Sequence, residues 1–153
     1  MWFDRLTTNG KLFNGRLYNV LSELMRPRPS SVVLSWFAQQ EHGEFYTSAI
    51  TQAELLLGVA LLPSGKRRNA IADAMEQMFD QDFVGRCLPF DELAAHEYAA
   101  LVAIRNKVGM PISTEDAQIA AIALRNGFVL ATRNIKDFSN IHELVLLDPW
   151  VVR

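Results

Sequence analysis

Glu54, Asp116 and Asp137 are the acidic side chains whose settings could do chemistry. Glu54 comes shortly after a strand predicted over 45–48, Asp116 opens a helix after Ser113-Thr114-Glu115, and Asp137 follows a strand predicted to end at Thr132. Three carboxylates without a His or Cys among them make a hard oxygen site, suited to Mg2+ or Mn2+ rather than zinc. Such a cation polarises a phosphodiester, generates a nucleophile from water and stabilises the leaving oxygen, so nuclease chemistry is what the trio points to. The neighbours of Asp137 agree: Arg133 and Lys136 could meet phosphate, while Thr132 and Asn134 could hold a water at the metal. A plainer reading stands beside this one. Capping and the helix dipole favour acids at helix starts, which covers Glu54 and Asp116, and Asp137 fits an ordinary surface turn.

The acids can act together only if the surrounding elements bring them to one rim. The aromatic and β-branched run Phe45-Tyr46-Thr47-Ser48 predicts a strand. Thr51-Gln52-Ala53-Glu54 predicts a capping box opening a helix that ends at Pro63-Ser64-Gly65. Before these, a short helix over 20–25 is stopped by Pro27 and Pro29, and Ser30 or Ser31 caps a second helix with an apolar stripe of Val33, Leu34, Trp36 and Phe37. A helix over 66–79 precedes a weak strand over 84–88. Asp91 caps a long helix running to Gly109, and the helix begun at Ser113 ends at Gly127. Strands over 128–132 and 144–147 close the pattern.

Short apolar strands alternating with amphipathic helices predict an α/β fold, a three-layer α/β/α sandwich with a parallel central sheet. In such sheets ligands bind beyond the carboxyl ends of the strands, which is where Glu54 and Asp137 fall; Asp116 depends on how the loop over 109–113 crosses the sheet. Residues 1–16 read as a poorly specified leader and 17–153 as a single domain.

Composition bounds the possibilities. The chain has 153 residues, half of them hydrophobic and 21% charged, which predicts one globular domain with a full core. Fifteen Lys and Arg against 17 Asp and Glu leave a formal charge of −2, so any nucleic-acid contact must rest on local patches. The lone Cys87 and the scattered His42, His96 and His142 give no zinc spacing. The apolar run over 55–62 is too short to span a bilayer and the opening residues lack a signal pattern, so no membrane and a cytoplasmic location are expected.

Four ordered blocks then resemble a known family: Asn19-Val20-Leu21-Ser22-Glu23-Leu24, Ala49-Ile50-Thr51-Gln52-Ala53-Glu54-Leu55, Ile112-Ser113-Thr114-Glu115-Asp116-Ala117-Gln118-Ile119-Ala120-Ala121 and Ala131-Thr132-Arg133-Asn134-Ile135-Lys136-Asp137-Phe138. Together with Leu88-Pro89-Phe90-Asp91 and Leu147-Asp148-Pro149-Trp150, they are similar to PIN-domain ribonucleases of the VapC and FitB type, the toxin halves of bacterial toxin-antitoxin pairs, over residues 19–150. The resemblance implies a PIN-like domain and a Mg2+- or Mn2+-dependent endoribonuclease. Glu54, Asp116 and Asp137 would bind the metal, with Ser113 and Asn134 lining the site. It also implies an RNA substrate, a cognate antitoxin whose C-terminal segment covers the groove, and a homodimer.

The likeness breaks upstream of Asn19. The family's first strand ends in an Asp two positions before the matching Asn, where this chain has Leu17. A leucine cannot coordinate a cation. Either the domain is a weakened or inactive toxin, or the residues before Asn19 come from a different reading frame or start site; translating the encoding DNA in all frames decides between them. The alternative to a nuclease is a PIN-fold module that binds antitoxin or RNA without cleaving. A DNA nuclease of the wider group is disfavoured by the absence of a strong basic surface.

The remaining basic clusters, Arg26 with Arg28, Lys66-Arg67-Arg68, and Arg105 with Lys107, read as solvated surface. Trp36, Phe37, Phe79, Phe83, Tyr98 and Trp150 are expected in the core or at an interface, and the apolar helix over 55–62 to be buried within the chain in preference to facing a partner.

Overall fold

Five short runs of apolar and β-branched residues form a wholly parallel sheet, and the connections between them supply the helices that cover it. The structure is a computed structural model that describes residues 7–8, 11–12, 16–19, 21–24, 26, 28–39 and 45–151. In chain order the strands are β1 (Thr7–Thr8), β2 (Lys11–Leu12), β3 (Arg16–Tyr18), β4 (Phe45–Ser48), β5 (Cys87–Leu88), β6 (Val129–Ala131) and β7 (Leu146–Leu147). The helices are α1 (Leu21–Leu24), α2 (Ser31–Ala38), α3 (Ala49–Ala60), α4 (Lys66–Gln77), α5 (Glu92–Lys107), α6 (Thr114–Asn126) and α7 (Ile135–Phe138). Val20, Met25, Pro27 and the His42-Gly43 turn, which bounded predicted elements, lie outside the described residues.

The sheet order is β5-β4-β3-β6-β7, with β1 and β2 forming a separate antiparallel pair in the predicted leader. Strand β3 is central, placing Leu17 opposite Tyr46 of β4 and Leu130 of β6. The two faces have separate cores. Leu17, Leu101, Ile119, Ala120, Leu130 and Phe138 pack on the side of α5 and α6, while Leu21, Met75, Phe83 and Ala131 pack on the other, with Trp36, Phe37, Leu55 and Val59 against them. Leu130 and Ala131 thus point to opposite layers, as the period of two demands. The predicted three-layer α/β/α architecture is the one observed.

Several local expectations need correcting. Helix α3 begins at Ala49, not at Thr51: Ser48, the last residue of β4, is the N-cap and its hydroxyl accepts the Thr51 N–H at 3.0 Å. The strand therefore turns into the helix without a loop. The predicted helix over 66–79 stops at Gln77 and continues as a π-helical turn, Met78–Asp82. The strand expected over 84–88 shrinks to β5. On α3 and at its C-cap, Leu56, Leu57 and Leu61 are exposed rather than buried within the chain. Arg105 is not surface: it is 4% exposed.

Trp36, Phe37, Phe79, Phe83 and Tyr98 pack on the two cores as expected, and so does Trp150. No helix among the described residues is long and apolar enough to cross a membrane.

Candidate active site

Strand order reverses at β3, whose neighbours β4 and β6 diverge to either side, so a crevice opens past the carboxyl ends of these strands. Asn19 sits there. Its main-chain N–H donates to the Ala131 carbonyl at 2.9 Å, and its side-chain oxygen lies 3.4 Å from the Thr51 hydroxyl, which also bonds Ser48 Oγ at 3.0 Å. This chain of contacts ties the end of the central strand to the first turn of α3, the helix that carries Glu54.

Asp116 is set by α6. Ser113 is its N-cap, and the Ser113 hydroxyl accepts the Asp116 N–H at 3.1 Å, one of the donors a helix start leaves without an intrahelical partner. At the far end Gly127 adopts φ 65°, the left-handed conformation that lets the chain turn straight into β6. Asp137 lies in α7 beyond β6. Thr132 is buried and its hydroxyl accepts the Asn134 N–H at 3.0 Å, while the Asn134 side-chain amide donates to Asp137 Oδ2 at 2.6 Å.

Electrostatics link the acids. Glu54 has its carboxyl raised above the ordinary range by partial desolvation first, then by the negative charges of Asp116 and Glu115. Asp116 is also raised: desolvation leads, the Ser113 hydroxyl opposes it, and Asp137 and Glu115 add to it. Asp116 therefore stands between Glu54 and Asp137 in one repelling group. Glu115 was not singled out from the sequence, although it directly precedes Asp116.

The donor set suits a divalent cation in kind, since it is all carboxylate and two members are held above their ordinary range, by desolvation first and then by negative neighbours whose repulsion a cation would relieve. It is sparse in number. Among the described residues no three His, Cys, Asp or Glu side chains are drawn close enough to make a ready-made metal cluster. Leu17 supplies no oxygen, and it is fully buried in the same core as Ala117 and Phe138, the residues that directly follow Asp116 and Asp137.

The basic neighbours differ in state. Arg133 is exposed and its guanidinium stacks 5.0 Å from the centre of the Trp150 ring, while Lys136 is exposed on α7. Glu54 also borders a cleft of about 390 Å3, shared with Asn19, Thr51, Leu55 and Arg67.

A parallel sheet covered by helices on both faces thus carries acids past the carboxyl edge of its strands. The PIN domain family matches residues 19–144, and the chain belongs to that family. It is 41% identical over 132 residues to the plasmid stability protein StbB of Pseudomonas syringae and 39% identical to toxin FitB of Neisseria gonorrhoeae, in each case over 86% of this chain and 94% of the relative. The VapC ribonuclease Y4jK of Sinorhizobium fredii is 40% identical over the same shares. Among solved structures, FitAcB from Neisseria gonorrhoeae superposes with a TM-score of 0.83 at 38% identity, covering 90% of this chain and 99% of that one.

Proposed function

We propose that the protein is a divalent-metal-dependent endoribonuclease, the toxin of a toxin-antitoxin pair. One observation carries the reading: Glu54 feels the negative charge of Asp116, and Asp116 that of Asp137, so Asp116 links the other two carboxylates on a PIN-family chain. The relatives named toxin FitB and VapC ribonuclease support it.

A bound Mg2+ or Mn2+ would activate water and neutralise charge building on a phosphodiester. Glu54, Asp116 and Asp137 would hold it. Asn134 orients the Asp137 carboxylate, Ser113 fixes the start of the helix carrying Asp116, and Thr132 braces the turn before Asn134. Lys136 and Arg133 lie close to Asp137 in the chain and would meet RNA phosphates. Trp150 limits the freedom of Arg133, which lowers the entropy lost when it grips an anion.

An antitoxin and a second copy of the chain are the proposed protein partners, and the cytoplasm the proposed place of action. Leu56, Leu57 and Leu61 on α3 and at its C-cap, with Ile104 and Val108 near the end of α5, leave apolar side chains exposed and support protein contacts. The solved FitAB assemblies of the relative FitB support the first partner.

A second reading, a PIN-fold module that binds without cutting, is favoured by one observation. Leu17 stands fully buried where the resemblance places an acid. Both readings meet in one experiment: cleavage of a mixed RNA pool, with Mg2+ and with chelator, by the chain and by Leu17→Asp. Metal-dependent cutting by the chain itself establishes that three acids suffice. Cutting only by Leu17→Asp identifies an intact but incomplete nuclease site, and silence from two folded proteins selects the binding module.

A further inference from the structure

Arg105 has a setting that the acidic site does not explain by itself. It falls in the last turn of α5, on the stripe of Ala94, Tyr98 and Leu101 that faces the core, and it is 4% exposed. Burying a guanidinium is costly unless its donors are met. Two of them are met by main-chain carbonyls: Nη1 donates to the Ser139 carbonyl at 2.5 Å and Nη2 to the Asp137 carbonyl at 3.0 Å. Nε has no hydrogen-bond partner.

These two carbonyls bracket Phe138, which is 1% exposed. They also end α7, a helix of four residues. One turn of helix is not self-supporting, and its last carbonyls have no partner within the helix. The Arg105 fork supplies a partner for one of them, that of Asp137, and for the carbonyl of the C-cap residue Ser139. Lysine, with a single ammonium, lacks the planar fork that spans two acceptors.

We propose that Arg105 is a positioning residue for Asp137, fixing the main chain of the α7 turn against α5 so that the Asp137 carboxylate stays in register with Asp116. The clamp works from below, through the carbonyls, while Asn134 holds the carboxylate from above at 2.6 Å. Helix α5 is also the element packed against α6, which carries Asp116, and the Arg125–Asp91 ion pair at 3.4 Å joins the end of α6 to the start of α5. One helix therefore references both acids. The link to a cation rests on the function proposed above; the clamp on the turn does not.

The test compares the full chain with Arg105→Met, Arg105→Lys and Asp137→Asn. Amide hydrogen exchange is read over 135–140 and 114–126, and melting temperature is followed through a Mn2+ titration. The expected result for Arg105→Met is faster exchange confined to 135–140 and a Mn2+ response weakened by about 10-fold, as loss of an orienting partner produces. Arg105→Lys, which keeps the charge but gathers its donors on a single nitrogen, falls between the unaltered chain and Arg105→Met and carries the test if Arg105→Met does not fold. Exchange that rises equally in both segments, or an unchanged Mn2+ response beside a lost one in Asp137→Asn, overturns the proposal. If the unaltered chain shows no Mn2+ response, the metal reading fails and exchange alone decides: a local rise over 135–140 upholds the clamp, and no local rise overturns it.

Discussion

The Asn134 side-chain amide donates to Asp137 Oδ2 at 2.6 Å, so the carboxylate of Asp137 is oriented by a residue three positions earlier on the same turn. The Asn134 main-chain N–H is in turn held by Thr132 Oγ1 at 3.0 Å. The turn is thus ordered from the end of β6 outward, and an acid on a four-residue helix acquires a defined direction.

Asn134→Ala removes that orientation while leaving the acid in place. Apparent affinity for Mn2+, measured by calorimetry, is expected to fall about 10- to 100-fold. Melting temperature in chelator should change little, because Asn134 is exposed. An unaltered affinity would remove Asn134 from the site.

Glu54→Gln is expected to stabilise the chain in chelator. The Glu54 carboxyl is raised in the folded state, so the folded protein binds more protons than the unfolded one between the ordinary and the raised value. Stability then falls as pH rises through that window, and the penalty is fully present above it. Solvent screening keeps the effect small, and ~1 kcal/mol moves Tm by about 2–4 °C at this chain length, so a rise of about 1–2 °C at pH 7 is expected. The gain should vanish when melts are repeated at a pH below the ordinary carboxylate range. A gain that persists there points to another cause.

Leu17→Asp tests whether an acid at this position of the central strand reaches the proposed metal. Loss of a fully buried leucine costs about 2–5 kcal/mol, and a buried carboxylate adds its own desolvation. The variant should melt lower in chelator and recover in Mg2+ or Mn2+ by more than the unaltered chain does, because ligand binding stabilises by mass action. Equal recovery in the two proteins would place position 17 outside the metal's reach.

Ser113→Ala removes the N-cap of α6. A lost cap costs about 1 kcal/mol, hence a fall in Tm of about 2–4 °C. The Ser113 hydroxyl also holds the Asp116 carboxyl down, so the Asp116 titration followed by NMR should move further upward. Ser113→Thr, which keeps the hydroxyl, should restore both.

The sequence made the long, strongly capped elements readable. Asp91 and Ser113 act as the helix caps expected of them, and Gly127 closes α6 in the left-handed conformation. Glu54 and Asp137 could be expected past the carboxyl edge because topology decides which loops gather there in a parallel sheet, whereas Asp116 depended on how the loop over 109–113 crosses it. Local chemistry hid other features. Ser48 ends a strand and caps a helix at once, so the Thr51-Gln52-Ala53-Glu54 pattern pointed one turn too late. Arg105 carries a charge at a buried position of the Ala94, Tyr98 and Leu101 stripe; its spacing signalled burial, but its residue type argued for the surface. The carbonyls that explain it belong to a turn distant in sequence, and no local pattern contains them.

The central strand also has a consequence for the order of assembly. Leu17 pairs with Leu130, so the middle of the sheet joins segments far apart in sequence. Synthesis proceeds from the N-terminus, and contacts between distant segments form only after the intervening chain is available. The segment reaching Leu17 must therefore wait unpaired on the β6 side until Leu130 has been made. Glu54 is synthesised well before Asp137, so the acidic group can assemble only once β6 and the α7 turn have been made.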